Sequence, residues 1–209
     1  MSEYNGKAIR VTAPLDFFKQ QWYIDWVHRV GRTEANRIGK SAMKIGSRVD
    51  EIIKFSPTCV KNFVIEKKEK PEVVTCLEAY KKWFEVYKPK EIVPGTRLYA
   101  TIDGHEVTGE PDIFVDGVLV DIKCASKISP SYWVQVNMYA YMVKIVQGEW
   151  DGVRPLFHPS KVGILRLDKT TGSYEYVVKD YDPSLVNVWC GLMRAMVYFK
   201  GDENGGTEL

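Results

Sequence analysis

Two aspartates and a lysine occupy regular positions in residues 109–123, whose sequence is GEPDIFVDGVLVDIK. Asp116 and Gly117 separate two apolar runs rich in β-branched residues, a pattern typical of a two-residue β-hairpin with a type I′ turn. Counting outward from that turn, the register places Asp112 directly opposite Asp121. The sequence therefore predicts two carboxylates that face each other on neighbouring strands.

Alternation along the strands places Asp112, Asp121 and Lys123 on one face of this hairpin. The other face carries apolar side chains, namely Ile113, Val115, Val118, Val120 and Ile122. Directly opposed residues have Cβ atoms about 4.5–5.5 Å apart, so two carboxylates placed in this way repel each other, and aspartate is disfavoured in strand interiors. A divalent cation between them removes the repulsion, and an oxygen-only site suits Mg²⁺ or Mn²⁺. The alternative is a surface acidic patch that Lys123 and Lys127 neutralise.

The dipeptide PD at residues 111–112 and the tripeptide DIK at residues 121–123 together resemble the two-part signature of the PD-(D/E)XK nuclease superfamily. The helix predicted downstream carries Gln135 and Tyr139 four residues apart, which is similar to an additional motif of the RecB-like exonuclease branch. The resemblance covers roughly residues 45–142. It implies that Gln135 positions substrate or a metal-bound water and that Tyr139 contacts phosphate. The alternative is that both hydrogen-bond to neighbouring backbone.

The same resemblance implies a metal site on the hairpin. Asp112 and Asp121 would hold one or two Mg²⁺ or Mn²⁺ ions, and the backbone carbonyl of Ile122 would complete the ligand shell. Lys123 would orient or activate the attacking water, or stabilise charge in the transition state.

Residues 46–53, GSRVDEII, are similar to the helix motif of RecB-like nucleases, in which a glycine is followed three residues on by valine and then by a metal-binding histidine. Asp50 stands at the histidine position, where a carboxylate still ligates Mg²⁺ or Mn²⁺ as a harder, charged ligand. Glu51 is the alternative ligand from this helix.

A basic stripe precedes this motif on the same predicted helix. Its members fall at steps of three, four and four residues: Arg37, Lys40, Lys44 and Arg48. Such a stripe is either a solvated helix face or a surface that follows a DNA backbone toward the metal site.

The totals indicate a soluble globular chain of 209 residues, with 45% hydrophobic and 27% charged residues. A net charge of +2 restricts any DNA-binding surface to a local patch. With no signal peptide and no apolar run of about 20 residues, we expect a cytoplasmic protein without membrane contact. The cysteines lack the spacing of a zinc site or an iron–sulfur cluster, so we expect reduced thiols at Cys59, Cys76, Cys124 and Cys190.

The predicted elements are helices over 14–30, 34–55 (with a break near Gly46) and 72–87, strands over 98–102, 105–115 and 118–124, a helix over 131–148, strands over 161–167 and 174–179, and a helix over 185–199. This order predicts an α/β fold in which helices flank a mixed β-sheet. It is similar to the restriction-endonuclease-like core, with an N-terminal helical elaboration. We expect one domain over 1–200, with the elaboration over 14–90 and the catalytic core over 95–200. Residues 201–209 are expected to be a disordered tail.

We therefore predict a metal-dependent DNA nuclease that hydrolyses phosphodiester bonds. The first choice is an exonuclease of DNA recombination, repair or processing, with a phage-type enzyme among the options. The alternatives are a structure-specific or restriction-type endonuclease on the same fold, or an inactive DNA-binding protein that retains a decayed nuclease fold. No Ser-His-Asp set, Walker A loop or zinc motif competes with this interpretation. The sequence predicts no particular protein partner.

Overall fold

The structure of this chain is a computed structural model, which describes residues 8–18, 21–55, 57–58, 69–146 and 159–204. These residues include a 3₁₀ helix (Pro14–Phe18) and five α-helices: α1 (Gln21–Val30), α2 (Arg32–Phe55), α3 (Pro71–Tyr87), α4 (Pro130–Val146) and α5 (Pro183–Asn204). None of the described helices is both long and apolar enough to cross a bilayer. Cys59 lies outside the described residues, and free thiols are present at Cys76, Cys124 and Cys190.

The strands of the described residues form two sheets. In chain order they are β1 (Ile9–Arg10), β2 (Ile92–Pro94), β3 (Leu98–Ile102), β4 (His105–Gly109), β5 (Ile113–Val115), β6 (Val118–Cys124), β7 (Lys161–Leu167) and β8 (Tyr174–Asp180). A three-stranded sheet has the order β1-β4-β3, and a five-stranded sheet has the order β2-β5-β6-β7-β8. The predictions missed the two short strands β1 and β2.

The five-stranded sheet is mixed. β6 and β7, which α4 connects, are parallel, whereas the pairs β2–β5, β5–β6 and β7–β8 are antiparallel. One face packs against α2 and α3 through apolar side chains such as Val49 and Trp83. The other face packs against α4 and α5 through Leu119, Val136 and Trp189. This arrangement confirms the predicted α/β architecture, with helices on both sides of a mixed sheet.

The hairpin between β5 and β6 has the predicted turn and register. Asp116 and Gly117 both have positive φ, 48° and 84°, as a type I′ turn requires. The Asp116 carboxylate also accepts hydrogen bonds from the backbone amides of Lys90 and Glu91, both at 2.9 Å. The ladder pairs Val115 with Val118 and continues to Ile113 and Val120.

The strand predicted over residues 105–115 is wrong in one respect, because it is two strands in two different sheets. β4 belongs to the three-stranded sheet and β5 to the five-stranded sheet. Residues 110–112 link them, and Pro111 has no backbone N–H with which to continue a ladder. The predicted catalytic dipeptide therefore lies in the gap between two sheets.

Gly95 fixes the position of this link. Its amide donates a hydrogen bond of 2.9 Å to the carbonyl of Asp112. A Cβ at this position would lie 2.0 Å from the Pro111 carbonyl oxygen, so only glycine allows the two backbones to approach so closely. Pro94 is the last residue of β2, and the adjacent Gly95 holds the link of residues 110–112 in place.

The helix predicted over residues 14–30 is two separate helices. The 3₁₀ helix ends at Phe18 and α1 begins at Gln21, while residues 19–20 lie outside the described residues. Gly31 follows the end of α1 and has a φ of 85°.

Two predicted helix boundaries are also wrong. α2 continues through Gly46 without a break, since one glycine costs a helix only about 1 kcal/mol and Ile45 and Val49 hold this turn in the core. α5 continues through Asn204, five residues beyond its predicted end at residue 199. The rest of the predicted tail, residues 205–209, lies outside the described residues.

Candidate active site

Asp121 lies in the central strand β6 and is 1% exposed. The β5–β6 ladder ends one pair before the predicted Asp112–Asp121 pair. Asp112 turns out of the ladder instead, and its Oδ2 atom accepts a 2.7 Å hydrogen bond from the amide of Ile122. The two carboxylates therefore flank the same segment of β6 without being a cross-strand pair.

Lys123 forms an ion pair with Asp121, with 2.8 Å between Nζ and Oδ2. Burial raises the pKa of Asp121 to about 7, although the Lys123 charge opposes this rise and Asp112 adds to it. Burial by itself lowers the pKa of Lys123, but the charges of Asp121 and Asp112 raise it above its ordinary value. Lys123 is therefore a half-buried, protonated ammonium group.

Asp50 of α2 lies at the same site. Burial and the Asp112 charge raise the pKa of Asp50 to about 6, and the Lys54 ammonium group lies 3.2 Å from Asp50 and 3.6 Å from Asp112. Glu51, the alternative ligand, is instead exposed and forms a 3.0 Å ion pair with Arg48. Of the two candidates on α2, only Asp50 faces Asp112.

Sequence reasoning missed two charged residues of this cluster, Lys54 and Glu110. The amino group of Lys54 lies 3.0 Å from Glu110, 3.2 Å from Asp50 and 3.6 Å from Asp112. Burial lowers the pKa of Lys54, but the charges of Asp112 and Asp50 outweigh burial and raise it. The four-residue spacing of Asp50 and Lys54 was visible in the sequence and indicates a contact on one helix face.

Arg166 of β7 is a third missed residue. It pairs with Lys123 in the parallel ladder and is 9% exposed. Its guanidinium forms ion pairs with Glu175 at 3.0 Å and with Asp168 at 3.4 Å. A single arginine within the apolar run of β7 was the signal that sequence reasoning passed over.

Gln135 and Tyr139 lie together on α4, and the amide of Gln135 donates a 3.0 Å hydrogen bond to the Tyr139 hydroxyl. Burial and the nearby Asp121 charge raise the pKa of Tyr139 to about 12. A Cβ on Gly109 would lie 2.6 Å from the Tyr139 ring, so only glycine at this position leaves room for the ring. Gln135 and Tyr139 are thus hydrogen-bonded to each other, and Tyr139 is within the electrostatic influence of Asp121.

A cavity of about 350 Å³ adjoins Lys123, whose amino group lies 5.2 Å from the centre of the Tyr132 ring in the cavity wall. Polar and charged side chains line part of it, with two lysines and one aspartate among them: Ser126, Lys127, Ser129, Asp168, Lys169 and Thr170. An anionic substrate would meet positive charge on entering this end of the site.

The basic stripe is only partly available to a ligand. Arg37 is paired with Glu34 at 2.6 Å, and Arg48 is paired with Glu51 and Glu69. Lys40 and Lys44 are exposed and line a shallow concavity of about 410 Å³.

The donor atoms of the site fit a hard divalent cation. Oδ1 of Asp50 is buried and accepts no hydrogen bond from the described residues, Oδ2 of Asp121 is buried against the Lys123 ammonium, and carboxylate oxygens are the ligands that Mg²⁺ and Mn²⁺ prefer. Within the described residues, no three acidic, histidine or cysteine side chains come close enough together to hold a metal as they stand. The ammonium groups of Lys54 and Lys123 lie among the carboxylates instead.

The raised pKa of Asp121 predicts a pH dependence of stability. Its pKa is about 7 in the folded chain and about 3.9 in the unfolded chain, so between these values the folded protein binds the extra proton. This stabilisation is complete below about pH 4 and is lost as the pH rises through about 7. In EDTA, the free energy of unfolding should therefore increase by about 2 kcal/mol from about pH 8 to about pH 5.5.

Urea denaturation in EDTA at these two pH values measures the increase. Asp50, whose pKa is also raised, contributes in the same direction. The increase should be smaller in Asp121→Asn, which carries no titrating carboxyl at this position. A wild-type profile that is flat over this range would contradict the expectation.

The comparisons with known proteins identify the fold of this chain but not a family to which it belongs. No protein-family model matches this chain, and no curated protein matches it. Among solved structures, a putative exonuclease from Eubacterium rectale superposes with a TM-score of 0.56 over 98% of this chain and 84% of that chain, at 16% sequence identity. This likeness shows that the chain has the fold of that protein, in agreement with the nuclease-like fold predicted from the sequence.

Two further structures are more distant. An alkaline exonuclease from Laribacter hongkongensis has a TM-score of 0.48 and 14% identity, and the match covers 94% of this chain and 89% of that chain. A structure of that enzyme in complex with dAMP has a TM-score of 0.43 and 14% identity, and the match covers 95% of this chain and 94% of that chain.

Proposed function

We propose that this chain is a metal-dependent nuclease that hydrolyses phosphodiester bonds in DNA. One observation carries the proposal: Asp121 is buried in the central strand, and Lys123, Asp112 and Asp50 surround it. Burying this much charge costs stability, and clusters of this kind are therefore typical of sites that bind a ligand or carry out a reaction. The fold shared with the Eubacterium rectale protein supports a nuclease over other uses of such a site.

Asp112, Asp121 and Asp50 would hold one or two Mg²⁺ or Mn²⁺ ions. The Ile122 amide faces Asp112, and the N–H and C=O of one strand residue point to the same side, which supports the Ile122 carbonyl as a further ligand. When bound, the metal lowers the pKa of a water molecule and neutralises charge on the phosphoryl oxygens. The role of Glu51 as an alternative ligand has no support from its position beside Arg48.

Lys123 supplies a fixed positive charge to the reaction. The sequence left open whether it activates water or stabilises the transition state. Its 2.8 Å ion pair with Asp121 holds the amine protonated, which favours stabilisation of negative charge on the phosphoryl group. Gln135 and Tyr139 would hold the substrate phosphate or a water molecule, since both carry hydrogen-bonding groups close to Asp121.

We propose an exonuclease as the form of the activity, as the sequence predicts. The test uses linear and circular duplex DNA, and their single-stranded forms, with Mg²⁺ or Mn²⁺ and with EDTA. We expect degradation of linear DNA with either metal, no loss of closed circles, and no activity in EDTA. Cleavage of circles would indicate an endonuclease. Absence of cleavage on every substrate, with DNA binding retained, would indicate an inactive DNA-binding protein.

The basic stripe is proposed to bind the DNA backbone through its two exposed lysines. Lys40→Ala with Lys44→Ala should weaken DNA binding irrespective of sequence and flatten its salt dependence. For each phosphate of duplex DNA that the variant no longer neutralises, the slope of log affinity against log salt should change by roughly 0.9. Affinity titrations from low to moderate salt, with Ca²⁺ and an Asp121→Asn background, measure the slope.

Arg37→Ala with Arg48→Ala is the comparison for this experiment, because both arginines already pair with glutamates and should change the slope less. An unchanged slope in the double lysine variant would mean that the stripe is a solvated face.

A further inference from the structure

Lys54 brings together carboxylates from two distant parts of the chain. Asp50 lies one turn before it on α2, whereas Glu110 and Asp112 belong to the link between β4 and β5. The Lys54 amino group lies within 3.6 Å of all three, and its side chain is only 16% exposed. We propose that Lys54 is the internal counter-ion of this carboxylate cluster and competes with the divalent cation for it. The inference rests on the metal-dependent function proposed above.

The contacts of Lys54 differ from those of an ordinary surface ion pair. Lys161 and Asp180, for comparison, form a 2.9 Å pair with side chains 56% and 86% exposed, where solvent screens most of the attraction. Lys54 instead has three acidic partners, and its compact ammonium group has three donors to match them. Its charge thus replaces, in the metal-free chain, part of the charge that a divalent cation would supply.

The compensation by Lys54 is incomplete. Oδ2 of Asp50 contacts Lys54, but Oδ1 of the same carboxylate is buried without a hydrogen bond. Asp121 pairs with Lys123 rather than with Lys54. A monovalent ammonium therefore leaves the cluster short of positive charge, and a divalent cation would bind more of its oxygens.

Lys54 can leave without disturbing the fold. Its charge sits at the end of four flexible methylene groups, and its partner Glu110 also binds the exposed Arg97, with Nη2 2.9 Å from Oε2. Glu110 therefore keeps a cation when Lys54 withdraws. Asp50 and Asp112 are the two partners released, and both belong to the proposed metal site.

The test is metal binding without DNA. Lys54→Met keeps the length of the side chain and removes its charge, so the cluster gains net negative charge and is freed of its competitor. We expect the Kd for Mn²⁺, measured by calorimetry at about pH 8, to fall at least about tenfold. In EDTA at the same pH, the Tm of this variant should fall by roughly 4 °C or more, because three carboxylates lose their shared counter-ion.

Two control variants separate charge from packing. Lys54→Arg retains the positive charge and should keep the Kd for Mn²⁺ close to that of the wild type. Lys161→Met also removes an ion-paired lysine, but an exposed one, and should leave both the Kd and the Tm unchanged. In a Glu110→Gln background, the fall in Tm caused by Lys54→Met should be smaller, since one of the three carboxylates that Lys54 contacts is absent. If Lys54→Met proves unstable, Lys54→Gln provides the same comparison.

The outcomes distinguish this inference from the proposed function. A wild type that binds Mn²⁺, with a Lys54→Met variant that binds it no more tightly, would overturn the inference and leave the function standing. A wild type that binds no Mn²⁺ while Lys54→Met binds it would support the competition directly. If neither protein binds Mn²⁺, both the inference and the metal-dependent function are wrong.

Discussion

Asp121→Asn is expected to lower the rate of DNA cleavage by at least about 10³-fold while the fold is retained. The substitution is isosteric but removes the charge of the most deeply buried acidic side chain of the site. A metal ion contributes several kcal/mol of transition-state stabilisation, and each 1.36 kcal/mol corresponds to about tenfold in rate. Asparagine leaves the cation with one fewer charged ligand and Lys123 with one fewer counter-ion.

Single-turnover cleavage of a labelled linear duplex at saturating Mg²⁺ measures the loss, with circular dichroism as the check on folding. Asp116→Asn is the matched control, since it is the same change on the same hairpin. Its side-chain oxygen still accepts the hydrogen bonds from Lys90 and Glu91, and asparagine tolerates positive φ. An Asp121→Asn protein that cleaves within about threefold of the wild type would remove β6 from the proposed mechanism.

Lys123→Met is expected to produce the second large effect, a loss of about 10²–10³-fold in single-turnover rate. In the proposed mechanism Lys123 acts on the phosphoryl group rather than on the metal, so the Kd for Mn²⁺ should not rise. Removing a positive charge 2.8 Å from Asp121 should instead tighten metal binding. Lys123→Met should therefore slow DNA cleavage without weakening the binding of Mn²⁺.

Lys179→Met provides the comparison for Lys123→Met, because Lys179 also places its amino group over an aromatic ring, 4.1 Å from the centre of Trp133. That change removes a similar cation–π interaction away from the carboxylates, and it should leave the cleavage rate unaltered. Metal binding that is abolished in Lys123→Met, with cleavage restored at high Mg²⁺, would show that Lys123 organises the metal site instead.

The hairpin was predictable because every determinant of its geometry is local. The Asp116–Gly117 turn requires positive φ at both residues, and this sets the register that brings Asp121 and Lys123 to one face. The helix with Gln135 and Tyr139 was equally clear, since Pro130 marks its start and apolar residues continue beyond it. The proposed site residues that share one element could thus be grouped from the sequence.

The gap between the sheets could not be predicted, because its causes lie far apart in the chain. Residues 105–115 read as one strand, and only the pairing of β4 with β1 and β3 moves its first half into another sheet. The contact of Gly95 with Pro111 then fixes the link. Lys54 was overlooked for the same reason, because Glu110 lies 56 residues further along the chain and no pattern in the sequence joins them.

The link between β4 and β5 also has a consequence for the order of folding. β3–β4 and β5–β6 are hairpins with local pairing, and such contacts form in microseconds, before distant segments meet. Asp112 contacts Ile122 in one hairpin and Lys54 on α2, so its contacts are complete only after these parts have docked. We expect Asp112→Asn to change the unfolding rate of the metal-free protein much more than its refolding rate in stopped-flow experiments. The proposed nuclease site would then be complete only after α2 has docked on the hairpin, and a partly synthesised or partly folded molecule would lack the proposed activity on DNA.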